Sequence, residues 1–181
     1  MKNLFLGMMS LFLCATSAFA EYTVDGRDKA AEQTAVSRMI SLDLLAKFAI
    51  QRSVVDFDTI YSFSLVEDRM RDYVSYPEDG VLMLKLGNEE TLKLFRAPVA
   101  QLKKTIYSKS GGDPTYHSVC LYNFEPGMLE KVVENGITKV RIQYVNNQQR
   151  DVEIRSKKLE RQKQTLKNIK SDFEKKIEDD F

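Results

Sequence analysis

YNFEPGMLEKVVENGITKVRIQY, residues 122–144, is the stretch on which the fold turns. Pro126 suits the first turn of a helix, where its missing N–H is no loss. Met128, Leu129, Val132 and Val133 then recur at helical spacing, and Asn135-Gly136 supplies a left-handed exit. Immediately after it the period changes to two. Thr138, Val140, Ile142 and Tyr144 point one way; Lys139, Arg141 and Gln143 point the other. That is a strand covered on one side only.

Upstream lies TYHSVCLYN, residues 115–123, which carries the chain's single histidine, His117, and Cys120. The pair invites a cysteine–histidine catalytic reading. A spacing of three along a strand puts the two side chains on opposite faces, and a thiol–imidazole pair needs direct hydrogen-bond reach. If the Leu121 side is the core side, His117 is a partly buried histidine. If the reverse holds, Cys120 is a small buried hydrophobe.

Further upstream, VLMLKLGNEETLKLF, residues 81–95, reads as a hairpin: Leu82, Leu84 and Leu86 on one arm, Leu92 and Leu94 on the other, with Gly87-Asn88 in the turn. DTIYSFSLVED, residues 58–68, alternates as a half-buried strand, with Tyr61, Phe63 and Leu65 on one face. Residues 34–41 are readable as strand or helix. Residues 42–51 favour a helix, because Ile40 and Leu44 extend a helical face and Asp43–Lys47 is a favourable i,i+4 pair. SKSGGDP, residues 108–114, has two glycines but leads into a strand. A phosphate-binding loop must open a helix, so this is a loop tip. VNNQQRD, residues 145–151, reads as another turn.

The last segment, residues 156–180, is a long amphipathic helix with Leu159, Leu166, Ile169, Phe173 and Ile177 in its apolar stripe, interrupted by Gln162. Its charges oppose the helix dipole: cations crowd the start and acids load the end. Packing of the stripe, rather than helix electrostatics, is therefore expected to hold it. Lys157, Lys158, Arg161, Lys163, Lys167 and Lys170 are candidate contacts for a membrane surface or a partner.

The chain opens MKNLFLGMMSLFLCATSAFA: a basic start, an apolar run and Ala18-Phe19-Ala20. This is the layout of a secretory signal peptide cleaved after Ala20. Lipoprotein processing at Cys14 is disfavoured, because bulky Phe12 and Leu13 precede it. Cleavage leaves Cys120 as the one thiol, so no internal disulfide is expected. The chain has 27 basic and 26 acidic residues, and Lys2 falls within the leader, so the remainder balances. A balanced chain argues against general nucleic-acid binding. One histidine and one mature cysteine leave too few ligands for a zinc site, and no calcium-loop spacing occurs. No Gly-x-Ser-x-Gly is present.

The segment 122–144, with the charged helix after it, resembles a group of small exported proteins of unassigned function from Bacteroidetes-type bacteria. In these a strand leads into a short helix, a Gly-Ile exit and a Lys-x-Arg-Ile strand. The resemblance spans Asp58 to Lys170. It implies an antiparallel sheet with helical cover, export to the envelope and a strand for residues 34–41, and it brings no catalytic residues.

The expected architecture is α+β: an antiparallel sheet, a short helix before a late strand, and a long C-terminal amphipathic helix packed on the sheet. Residues 1–20 are a signal peptide, 21–33 a flexible lead-in, and 34–181 one domain. The expected protein is exported, periplasmic or secreted, and non-enzymatic. It needs no cofactor and binds a protein or another surface ligand. The alternatives are a hydrolase with carboxylates dispersed in sequence and a peripheral membrane protein working through the C-terminal helix.

Overall fold

The computed structural model describes residues 22–24, 33–55, 58–98, 101–107 and 113–179. The leader, most of the lead-in, the glycine loop tip and the side chain of Ile177 lie outside the described residues. The strands are β1 (Tyr22–Val24), β2 (Gln33–Val36), β3 (Ile40–Ser41), β4 (Ala46–Val55), β5 (Asp58–Met70), β6 (Val81–Leu86), β7 (Thr91–Arg96), β8 (Leu102–Ile106), β9 (Thr115–Asn123), β10 (Ile137–Gln143) and β11 (Gln149–Glu153). The helices are α1 (Met128–Asn135) and α2 (Ser156–Asp179). All strands join one antiparallel sheet in the order β1-β2-β4-β5-β9-β7-β6-β10-β11; β3 also pairs with β4, and β8 with β9. The architecture is α+β, as expected.

Two hairpin tips are built alike. In Leu86–Glu90 the Leu86 N–H donates to the Glu90 carbonyl and Glu89 takes a φ of 69°. In Tyr144–Gln148 the Tyr144 N–H donates to the Gln148 carbonyl and Asn147 takes a φ of 59°. In each, an asparagine two residues earlier (Asn88, Asn146) accepts from the closing N–H. The turn chemistry in each tip is thus an Asx-capped loop with one left-handed residue. Gly87 serves a different need: a Cβ there would sit 2.4 Å from the Asn135 carbonyl oxygen.

Three expectations are corrected. Residues 42–51 are not helical. Asp43 Oδ1 accepts from the N–H groups of Leu45 and Ala46, both at 2.7 Å, and bends the chain into β4. Phe48, Ala49 and Ile50 are all buried, so β4 has no exposed face here to give the period of two. The Asp43–Lys47 pair does not form either: Lys47 reaches Asp68 on the neighbouring strand. Residues 149–151, read as the end of a turn, belong to strand β11. Its pairing with β10 sets Arg141 opposite Asp151 and Lys139 opposite Glu153, and both couples are ion pairs. Strand β5 is not half-buried at its centre, since Ser62, Ser64 and Val66 are as enclosed as Phe63 and Leu65. The ambiguous 34–41 forms β2 and β3, broken at residues 37–39, and Tyr22–Val24 of the lead-in pairs with β2.

The core joins one face of the sheet to both helices. Phe48 and Phe63 stack at 4.5 Å, and Leu82, Leu84, Leu94, Val140 and Ile142 continue the surface. Helix α2 lays Leu166, Ile169 and Phe173 onto it, touching α1 and β10. Each such burial stabilises by about 1.5–3 kcal/mol. Gln162 interrupts the stripe for a reason: its Oε1 accepts from the Ile137 N–H at 2.7 Å, where the chain leaves Gly136 and has no strand partner for that donor. Gly136 itself has a φ of 69°, and a Cβ on it would lie 2.7 Å from Leu159 and 2.8 Å from Lys163. The glycine exit lets α2 close over the start of β10.

Candidate functional site

Strand β9 answers the cysteine–histidine question. Cys120 lies beside Leu65 in the main core, and burial pushes its thiol up to about 11. A thiol so held is not a nucleophile at neutral pH. His117 is on the opposite face, with its Nδ1 on Asp68 Oδ1. Burial alone would raise the Asp68 carboxyl; hydrogen bonds from His117 and Lys47 outweigh it and hold the group below its ordinary range. The couple resembles two-thirds of a hydrolytic triad. Among the described residues no hydroxyl or thiol is hydrogen-bonded to the imidazole, so the couple has no nucleophile to activate.

A second cluster sits inside the core. Glu67, fully buried, takes hydrogen bonds from Tyr76 (2.6 Å), Tyr144 (2.8 Å) and Arg150 (2.6 Å). Arg150 turns its other nitrogen to Asp43 Oδ2 at 2.5 Å. Burial would lower the arginine's affinity for its proton, and the two acids more than restore it. Burial raises both tyrosines, with Glu67 adding to the effect. The two acids therefore converge on one guanidinium. Every oxygen of Glu67 has a donor, so this is a tie between β5, β11 and the 42–45 bend.

The third arrangement is a cleft of about 420 Å³ between α2 and the break that separates β2 from β3. Arg38 comes from the break; Lys158, Arg161, Gln162 and Thr165 come from one side of α2. Met39, Ile40 and Ile154 give it an apolar floor. No carboxylate lines it. None of Arg38, Lys158 and Arg161 has a carboxylate partner among the described residues. The Gln162 side chain is 5% exposed, and while its Oε1 is used on Ile137, its Nε2 has no hydrogen-bond partner. Three exposed cations thus line one volume to which no carboxylate among the described residues contributes.

Of the six cations singled out from the sequence, the structure brings Lys158 and Arg161 to this cleft. Lys157 and Lys167 stay on the exposed side of α2. Lys163 is half-buried over Gly136 and pairs with Glu160, and Lys170 lies between Glu130 and Glu174. Sequence reasoning missed Arg38, which sits in the ambiguous 34–41 segment, and Gln162, which it took only as a flaw in an apolar stripe. The one sequence signal for Gln162 was its position: a long polar side chain at a core-facing site of a helix needs a buried partner. No family model, curated protein or solved structure matches the chain.

Proposed function

We propose that the protein is a non-enzymatic binding module that works after export, and that its binding surface is the cleft between α2 and residues 37–41. The observation that carries this reading is the juxtaposition of Arg38, Lys158 and Arg161, uncompensated, over an apolar floor. A volume of about 420 Å³ is in the range of small-molecule sites, which combine an apolar lining with a few placed polar groups. The leader pattern of residues 1–20 supports export. Two observations weigh against the alternatives. The acids that converge, Asp43 and Glu67, are both bound to Arg150. The apolar stripe that a membrane-bound helix would insert is already covered by α1 and β10.

The test uses the cleft's own reporters. Ile40 and Ile154 lie in its floor, so methyl NMR of the purified protein with a mixed library of neutral and charged small molecules should give binders that move those two methyl signals. Binders that move only other methyls, or conversion of any added compound, would overturn the reading.

A further inference from the structure

We infer that the cleft takes a compact oxyanion, a phosphate or sulfate ester carried on an organic body. This rests on the cleft being the binding surface and names the chemistry of its ligand. Two features of the cleft converge on it. Arg38, Lys158 and Arg161 reach one volume from two separate segments of the chain, so the positive charge is assembled by the tertiary fold rather than by one basic run. Guanidinium groups offer paired N–H donors that match oxyanions. Met39, Ile40 and Ile154 then call for carbon next to the charged group, which a bare ion lacks.

The same occupant accounts for the anomaly of α2. Its first turn carries no acid, and Lys158 lies there at the positive end of the helix dipole, with Arg161 one turn on. Like charge at a helix start is unfavourable by a few tenths of a kcal/mol to about 1 kcal/mol per group. An anion in the cleft offsets the lysine–arginine repulsion. The hydroxyls of Ser41 and Thr165 already donate to the carbonyls of Asp43 and Arg161, so they supply no further donor and the cations dominate selection. Phosphate and sulfate esters share this chemistry whether free or part of a lipid headgroup.

The experiment is a titration of the full protein, read by the Ile40 and Ile154 methyl signals. The probes are inorganic phosphate, glycerol 1-phosphate, glycerol, and vesicles of phosphatidylglycerol with phosphatidylcholine against phosphatidylcholine alone. Expected is saturable binding of glycerol 1-phosphate, tighter than inorganic phosphate, with no response to glycerol. Arg161→Ala and Arg38→Ala should each weaken it about tenfold or more, as loss of a charge-assisted hydrogen bond implies. Lys167→Ala, on the far side of α2, should leave it unchanged. Because Arg161 and Arg38 are exposed, these variants fold; Gln162→Leu is read only alongside its melting temperature. Vesicle binding that depends on phosphatidylglycerol and is lost in Arg161→Ala assigns the headgroup; binding of the free ester alone assigns the soluble source. If neutral compounds move the two methyls and the phosphates do not, the oxyanion assignment falls while the binding reading stands. If nothing moves them, both fall. Equal weakening by Lys167→Ala shows general charge attraction and overturns the assignment.

Discussion

The Glu67 cluster and the α2 cleft use the same side-chain types to opposite ends. Around Glu67, a buried carboxylate is matched by two hydroxyls and a guanidinium, and the guanidinium by a second carboxylate. In the cleft, two guanidiniums and an ammonium line a shared volume to which no carboxylate among the described residues contributes. The first set is complete within the chain and holds parts of the fold together. The second has no such partner among the described residues, and the proposed ligand would supply one. Charge content alone does not separate binding from structure; satisfaction does.

The comparison predicts large stability effects on one side and small ones on the other. Glu67→Ala should be the most damaging, by about 3–5 kcal/mol, since it leaves half-buried Arg150 with Asp43 alone, takes the acceptor from two tyrosine hydroxyls and opens a hole in the core; urea unfolding measures it. A loss under about 1 kcal/mol would show that the cluster is not the tie described. Gly136→Ala should cost about 1–3 kcal/mol by the same measurement, from the strained φ and the contact with Leu159 and Lys163. Gln162→Leu should fall in a similar range, about 1–3 kcal/mol, because the Ile137 N–H loses its acceptor.

Acid gives a fourth check. Asp68 is held below its ordinary value of 3.8 in the fold. A carboxyl depressed on folding contributes stability that is fully present above that ordinary value and is lost as pH falls through the folded one. Stability should therefore decline below about pH 4, and His117→Asn should flatten that decline. An identical acid limb in the variant would remove His117 from the account. The smallest effect belongs to the cleft. Arg161→Glu should change the unfolding free energy by no more than about 0.5 kcal/mol, since the side chain is exposed and has no carboxylate partner among the described residues. A large loss there would make the cleft a structural feature after all.

Much of the sheet was legible. The β6–β7 hairpin, α1, β10 and α2 each have a clear period because each turns a less buried polar face outward. Legibility failed where that contrast vanished. Phe48, Ala49 and Ile50 are enclosed on both faces, so β4 mimicked a helix. Strands β8 and β11 failed in the opposite way: LKKTI and QRDVE bury too few apolar side chains to show a period. The cleft was half-legible. The sequence drew attention to the cations of α2 because they oppose the dipole. Nothing in it linked Lys158 and Arg161 to Arg38, more than a hundred residues earlier.

By itself the sequence determined the α+β class, the odd spacing that parts His117 from Cys120, and the amphipathic character of the last helix. These follow from local periods, which a chain carries wherever it folds. The tertiary structure decided which face of β9 is the core, that Glu67 is answered and Gln162 only half so, and that three scattered cations share one volume. Those outcomes depend on long-range register and on which donors find acceptors, and no local pattern encodes either.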